Sequence, residues 1–500
     1  MAEMNRTPQK ETHMNNDAPQ PLCEIGMIGL GVMGRNFLMN MAGHGFPVAG
    51  YDNDEVKVEV LRHGTRDNDV RASGDIRAFV SMLRAPRAIM LLVPAGPAVD
   101  SVISELVPLL DHGDLIIDAG NSHYTDTDVR AKFLANKRLQ FLGIGMSGGG
   151  EGALDGPSIM VGGTTEAYAR VQPVFEAAAA QFNGSPSVAR VGSGSAGHFV
   201  KMVHNGIEYG LMQVIAEAYD LMGRGLGLTD GEVQEFFAGW NHGEMEGYLV
   251  EITSRIFAKG DERTGRPLID EVVDVAGQLG TGMWTSECAL GLHVPIPTID
   301  AAVSMRNLSL LKGERIVANG VLLSDGVGFQ GDRGLLLRQL GRALYAAAII
   351  TYSQGFALMG VASGVFNYGL DLSVVARIWR AGCIIRAAVL EKVWEAYRGQ
   401  PGLPNLLVNP EIARRVMAHQ QDLRATICAG AELGIPVPGL MSALGYLDGY
   451  RSSRLPANLI QAQRDYFGEH GLETANTSRP FHVGWAPPQD ETQASLAPVA

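Results

Sequence analysis

From Ile25 onward, short apolar runs alternate with segments whose apolar residues recur at helical spacing. The runs Ile25–Ile28, Val48–Tyr51, Ala88–Val93, Leu115–Ile117 and Phe141–Ile144 are each followed by a turn or cap residue such as Gly, Pro, Asp or Asn. Continuous short runs bounded by turns and separated by helices predict βαβ units and a largely parallel sheet. After the glycine-rich link Gly192-Ser-Gly-Ser-Ala-Gly197 the strand pattern fades, and the chain reads as helices joined by short turns to about residue 450. The pattern therefore predicts an α/β domain over 23–195 and a large all-helical domain over 196–450. Beyond Arg451 the periodicity is lost, leaving a C-terminal tail over 451–485 and a disordered end over 486–500 that contains Pro and Gln. Residues 1–22 are polar, with Pro8, Pro19 and Pro21, and lack the apolar core of a secretory signal; they read as a disordered extension. The longer apolar stretches are interrupted by glycine or charge, and none reads as a membrane span.

Five hundred residues exceed what one compact core organises, which agrees with this division. A formal net charge of -13 argues against broad binding to nucleic acid or anionic membranes, yet leaves room for a local basic pocket that takes a small anion. Cys23, Cys288, Cys383 and Cys428 are scattered without a metal-ligand spacing. Neither a disulfide framework nor a metal site is expected, and a reducing cytoplasm suits them.

Gly29-Leu-Gly31-Val-Met-Gly34 follows the first strand and opens a helix, the context in which a G-x-G-x-x-G pattern cradles a pyrophosphate. The next strand ends in Asp52, at the spacing where an acidic residue meets the adenosine ribose. The bland alternative is a glycine-rich turn in an α/β domain. Asp52 and Asp54 suit a 2′-phosphate poorly and no arginine follows the strand directly, so NAD is expected ahead of NADP. Candidate cofactor contacts are Gly29, Leu30, Gly31, Val32, Met33, Gly34, Asp52, Asn53 and Asp54, with Val93, Ala95 and Asn121 from loops after later strands. Asn121 and Ser122 sit beyond a strand's carboxyl end, where ligands of open sheets bind, although a plain Asx or Ser turn explains them equally well. The run Gly143-Ile-Gly-Met-Ser-Gly-Gly-Gly-Glu-Gly152 has the composition of an N–H cradle or of a flexible linker.

Lys201, His204, Asn205 and Glu208 recur at i, i+3, i+4 and i+7, which stacks them along one helix face. Val200, Met202, Val203, Ile207, Leu211, Val214 and Ile215 cover the other faces. A helix so apolar is expected to be buried, so its ionisable stripe must meet a partner, a cavity or a ligand; the bland alternative is one solvated face. Lysine and glutamate become proton carriers when burial and neighbours move their pKa values.

With these motifs in hand, the chain resembles the decarboxylating 6-phosphogluconate dehydrogenases from about Gly26 to Trp485. The motifs that carry the likeness are Gly29–Gly34, Asp118–Ser122, Ser147–Gly149, Lys201–Gly210, Gln278–Thr285, Gly382-Cys-Ile-Ile-Arg386 and Gln463–Gly468. The resemblance implies an N-terminal Rossmann domain, a large helical domain and a tail that enters the other subunit of a homodimer, serving the pentose phosphate pathway. It implies that Lys201 is the base and acid at C3 of the substrate and that Glu208 protonates C1. It also implies that Asn121, Ser147, Gly148, Gly149, His204 and Asn205 hold the carboxylate and hydroxyl end. Tyr209, Thr281, Arg306 and the partner's Arg464 and His470 are implied to hold the phosphate. Read without the likeness, Arg306 and Arg464 would be surface charges.

Several positions depart from the family pattern. Asp52-Asn53-Asp54 replaces the usual Asn-Arg-Ser/Thr, removing the arginine that meets a 2′-phosphate. Leu279 stands where many members have a lysine before the phosphate-binding Gly-Thr, a loss worth about 1.5–3 kcal/mol if nothing compensates. Pro94 and Gly150 replace a lysine and a glutamate. The competing functions are a related β-hydroxyacid dehydrogenase for smaller acids and a non-catalytic dinucleotide-binding sensor; the phosphate-side residues oppose the first, and the intact Lys201 and Glu208 oppose the second.

Overall fold

The computed structural model describes residues 22–64, 70–322, 328–474 and 479–485. The extension expected over 1–22 lies outside them except for Leu22, as does the end expected over 486–500. The chain divides into two compact units, Met1–Leu444 and Gly445–Ala500.

The first unit opens as a Rossmann fold. Its strands are β1 (Ile25–Ile28), β2 (Val48–Tyr51), β3 (Val70–Ser73), β4 (Ala88–Leu91), β5 (Leu115–Asp118), β6 (Gln140–Ser147), β7 (Ser158–Gly163), a two-residue pair β8 (Gln181–Phe182) and β9 (Ser185–Pro186), and β10 (Val188–Gly192). The main sheet runs β10-β7-β6-β5-β4-β1-β2-β3. Its pairs are parallel except β6 with β7. Because β1 lies between β4 and β2, the loop after β1 opens at the point where strand order reverses, the position where such sheets bind ligands. Both faces are covered. Met27, Met90 and Ile117 pack with Phe37 and Phe175 on one side, and Ile28, Ile89 and Ile116 pack with Phe79 on the other. Burial on both faces is why these strands read as continuous apolar runs.

Three strands of the main sheet lie outside the predicted set. β3 is a half-buried edge with the sequence Val-Arg-Ala-Ser, so it lacks an apolar run. β7 and β10 carry the glycines Gly162, Gly163 and Gly192 where a pattern of large apolar residues would have marked them. β6 is longer than the predicted Phe141–Ile144, continuing through Gly145 to Ser147, while β4 ends at Leu91 rather than Val93.

The expected link at 192–197 is shorter than its composition implied: β10 ends at Gly192 and a 25-residue helix begins at Ala196. This helix packs its first turns on β6 and β7 and its remainder among the helices Thr281–Gly291, Pro297–Leu310 and Arg333–Val365, so the α/β and helical halves form one unit. The contact with the sheet is backbone on backbone. A Cβ on Gly197 would lie 2.3 Å from the Gly143 oxygen and 2.5 Å from the Met160 oxygen, and one on Gly145 would lie 2.2 Å from Lys201 Cβ. Only glycine permits such an approach.

Helix Arg333–Val365 is long and apolar enough to cross a membrane, which the sequence pattern did not anticipate, but 78% of its most apolar window is buried inside the protein. It is a core helix. In the second unit the tail expected to lack periodicity contains a helix, Ala457–Gly468. Leu459, Ile460, Tyr466 and Phe467 recur on one face of it and are exposed, so the tail is more periodic than expected.

The glycine contact gives a direct test. Gly197→Ala should destabilise the protein by about 3 kcal/mol, the upper end for overpacking, because the atoms it strikes are backbone. Gly231→Ala, whose Cβ would meet nothing within 4 Å, should change stability by less than about 1 kcal/mol. Urea unfolding of both variants checks the pair; equal midpoints would contradict the contact.

Candidate active site

The helix Ala196–Asp220 carries the ionisable stripe into the seam between sheet and helices. Lys201 is 7% exposed, His204 0% and Asn205 8%, while the Glu208 side chain is 22% exposed. The solvated-face alternative is therefore excluded for the first three. Among the described residues the Lys201 ammonium has no ion pair or hydrogen bond. Burial pushes it below the usual lysine range, against the opposing pull of Glu208. Glu208 is shifted the other way: burial raises its carboxyl, with Lys201 and Arg306 partly offsetting the rise.

His204 fixes the floor of the site. Burial and the neighbouring Lys201 hold its imidazole well below the usual range, so it is neutral. Its Nδ1 faces two acceptors, Asn205 Oδ1 at 3.2 Å and Glu208 Oε2 at 3.8 Å, and so carries the proton. Nε2 then accepts from the Ser147 hydroxyl at 3.2 Å, and the Ser147 oxygen accepts the Ile384 N–H at 3.3 Å. The Trp379 ring stands edge-on to the imidazole at 5.4 Å.

Ile384 belongs to the Gly382–Arg386 motif, to which no role was assigned from sequence, and the structure brings that motif against the lysine. Cys383 is fully buried and donates to the Trp379 oxygen at 3.1 Å. Burial pushes its thiol up to about 12, so it stays protonated beside Lys201. A Cβ on Gly148 would lie 2.9 Å from the Gly382 oxygen. The only signal in the chain was the motif itself, because nothing local ties Cys383 to a lysine 182 positions earlier.

The glycine run joins this floor to the fingerprint. Gly148 and Gly149 both adopt positive φ, at 137° and 66°, and open the helix Gly149–Asp155. That helix packs on the fingerprint helix Val32–Gly43, with Asn36 Nδ2 donating to the Gly150 oxygen at 2.7 Å and a Cβ on Gly150 reaching 2.7 Å from Val32. A larger residue at 150 would require Val32 to move. The run is thus a hinge of fixed geometry rather than a linker.

The fingerprint has the shape a pyrophosphate needs. Gly29 takes φ 97°, and a Cβ on Gly34 would lie 1.9 Å from the Gly29 oxygen, whereas one on Gly31 would meet nothing within 4 Å. The first and third glycines allow the turn and the packing; the second leaves an open space in front of the helix N-terminus. Asp52 is buried and accepts the Leu30 N–H at 2.8 Å and the Asp54 N–H at 3.0 Å. Lys57 Nζ lies 3.4 Å from Asp52 and 3.7 Å from Asp54, so the adenosine end contains a cation that is not adjacent to the strand in sequence. Asn53 is exposed.

Val93 touches the fingerprint turn, and Ala95 and Asn121 are exposed on the loops after β4 and β5. Ser122 is a structural residue: its hydroxyl donates to Asp118 at 2.6 Å and accepts from Arg130, itself paired with Asp100 and Asp118. On the phosphate side, the Arg306 guanidinium lies 3.5 Å from the Tyr209 ring centroid, and Thr281 is buried at the start of its helix after the left-handed Gly280. Leu279 is 89% exposed and contributes no polar group there. Arg464 and His470 are exposed in the second unit. Among the described residues, no group of three or more His, Cys, Asp or Glu could hold a metal ion.

Gly31→Ala isolates the cradle. Gly31 has φ -61°, which alanine adopts without strain, so stability should stay within about 1 kcal/mol of wild type. Dinucleotide binding should weaken at least about tenfold. Titration by fluorescence checks this, and unchanged affinity would refute the cradle.

Both halves of the chain match known families. Residues 24–192 match the NAD binding domain of 6-phosphogluconate dehydrogenase, and 197–485 match the 6-phosphogluconate dehydrogenase C-terminal domain. The decarboxylating 6-phosphogluconate dehydrogenase of Synechococcus elongatus is 47% identical over 93% of this chain and 99% of its own. The NADP(+)-dependent, decarboxylating enzyme of Bacillus subtilis is 46% identical over 92% and 99%. The Plasmodium falciparum 6-phosphogluconate dehydrogenase, solved in its apo form and in complexes with NADP+ and with 6-phosphogluconate, superposes with a TM-score of 0.90 at 38% identity, covering 93% of this chain and 100% of that one. The chain belongs to the decarboxylating 6-phosphogluconate dehydrogenase family.

Proposed function

We propose that this protein oxidises and decarboxylates 6-phosphogluconate to ribulose 5-phosphate and carbon dioxide. The observation that carries the proposal is a desolvated Lys201, without an ion pair among the described residues, in one stripe with Glu208 and beside the neutral His204–Ser147 pair. Burial lowers the free-energy gap between ammonium and amine, so Lys201 can take the proton of the C3 hydroxyl and return it to the C3 oxygen. A dinucleotide held on the Gly29–Gly34 turn would supply the acceptor for the hydride at C3. Lys201, now an ammonium, polarises the C3 carbonyl, and the bond from C2 to the carboxylate breaks with its electron pair delocalised toward that carbonyl. Glu208, whose carboxyl is raised by burial, supplies the proton at C1 of the enediol while Lys201 takes back the neighbouring hydroxyl proton, leaving the ketone. Asn121, Ser147, Gly148, Gly149, His204 and Asn205 are proposed to hold the carboxylate and hydroxyls, and Tyr209, Thr281 and Arg306 the phosphate. Arg464 and His470 complete the phosphate site from the partner of a homodimer. Four free cysteines suit a reducing compartment, and we assign the enzyme to the cytoplasm.

For the cofactor, the relatives' names point to NADP, whereas the preference for NAD rests on this chain's own residues. Lys57 is a cation near the end of β2, and it already faces two carboxylates. The remaining negative charge opposes a 2′-phosphate and accepts hydrogen bonds from ribose hydroxyls. We infer that NAD is preferred and NADP is used less well.

Two outcomes follow. Lys201→Met should abolish oxidation and Glu208→Gln should lower kcat about a hundredfold or more with the fold intact. For the wild-type enzyme, kcat/KM should rise with pH and level off below the ordinary lysine range; a folded, active Lys201→Met protein would defeat the mechanism. The specificity constant should be higher with NAD than with NADP, and Asn53→Arg with Asp54→Thr should shift it toward NADP while keeping the Asp52 bond to Leu30. A wild-type preference for NADP would overturn the cofactor assignment.

A further inference from the structure

Among the described residues of the unit Gly445–Ala500 most side chains are exposed, including Leu459, Ile460, Tyr466 and Phe467, yet the Asp465 carboxylate is 2% exposed. Each oxygen of that group accepts two hydrogen bonds. Oδ1 takes the Gly471 N–H at 2.8 Å and His482 Nδ1 at 2.8 Å; Oδ2 takes Trp485 Nε1 at 2.9 Å and the Val483 N–H at 3.4 Å. Burial alone would raise this carboxyl, but His482, Trp485 and the two amides outweigh it and hold it at about 2. It is therefore an anion across the physiological range.

These four donors come from the segment that follows the helix Ala457–Gly468. The chain leaves that helix through Glu469 in a left-handed conformation, with φ 52°. Leu472 and Phe481 pair through both backbone bonds, at 2.7 and 3.0 Å, and Gln461 Nε2 donates to the Gly471 oxygen at 2.7 Å. Gly471 and Leu472 on one side and Phe481–Trp485 on the other are thus strapped back onto the helix, and Asp465 is where the strap is tied. It lies between the two proposed phosphate ligands in sequence: Arg464 precedes it on the helix, and His470 precedes the glycine whose amide it binds.

We propose that Asp465 is a positioning residue for phosphate recognition, its buried carboxylate locking the strap so that Arg464 and His470 are presented in one fixed arrangement. This rests on the assignment of those two residues to the phosphate of the partner's substrate. Asp465 touches no substrate itself. Its effect is confined to the phosphate end, so a substrate without phosphate should not sense its loss.

The experiment compares 6-phosphogluconate with gluconate in the full-length enzyme, for wild type, Arg464→Ala, Asp465→Ala, Asp465→Asn and Trp485→Phe. Asp465→Ala should lower kcat/KM for 6-phosphogluconate about tenfold to a hundredfold, mainly through KM, while leaving kcat/KM for gluconate and dinucleotide affinity unchanged. Asp465→Asn, which retains one acceptor oxygen, and Trp485→Phe, which removes one donor, should fall between, so the inference survives if Asp465→Ala does not fold. If Arg464→Ala discriminates between the two substrates and none of the strap variants does, the positioning role is wrong and the phosphate assignment stands. If Arg464→Ala itself does not discriminate, that assignment fails and the inference falls with it. Equal losses for both substrates in the strap variants would mark a general structural role and overturn the proposal.

Discussion

The close approach of the helix Ala196–Asp220 to β6 and β7 is the constraint on which the rest of the site depends. Gly162 and Gly197 let backbone meet backbone, Gly143 and Gly145 leave room for His198 and Lys201 of the helix, and Ser147 at the end of β6 meets His204. A side chain at any of these contacts would lift the helix and open the seam to water. Lys201 is desolvated because the seam is closed, and a lysine that is desolvated without an ion pair is one whose proton is loosely held. Chemistry at Lys201 is in this sense a consequence of where glycines stand in β6, β7 and the first turn of the helix.

The same helix transmits that placement in both directions. At its sheet end, Ser147 and the Gly148–Gly149 turn connect it to the fingerprint helix through Asn36 and Val32. At its far end, Glu217 accepts the Gly439 and Leu440 N–H groups at 2.7 and 2.9 Å, capping the helix that begins at Pro438. Burial pushes this carboxyl up to about 7, against the bonds from Gln213, Leu440 and Gly439. In the middle, Gly206 faces Thr285 and Gly210 faces Thr351 at distances where a Cβ would collide, so the helical half is held as tightly as the sheet. One helix thereby sets the spacing between the proton carriers and the dinucleotide cradle.

What the sequence made legible follows from which signals are local. Strands buried on both faces were visible as apolar runs, and the fingerprint and the Lys201–Glu208 stripe were visible because each is carried by one element at fixed spacing. β3, β7 and β10 were not, since an exposed edge and glycine-bearing strands lack that run. Nor were the roles of Cys383 and Ile384, which reach Lys201 and Ser147 only through tertiary folding. The pairing of Lys57 with both Asp52 and Asp54 was equally hidden, because it depends on the turn geometry after β2. Composition misled in the opposite sense at Gly143–Gly152, where several glycines that could have formed a linker are instead tightly packed, Gly145 against Lys201 and Gly150 against Val32.

The central claim is that packing, rather than a neighbouring charge, prepares Lys201 as the base. The measurement that tests it most directly is an NMR titration of lysine-labelled protein, with the Lys201 resonance identified by its loss in Lys201→Met. The account predicts that Nζ titrates clearly below the ordinary lysine value of about 10.4 in the folded protein. Titration of Lys201 at that ordinary value, in a protein whose other resonances report the native fold, would contradict it.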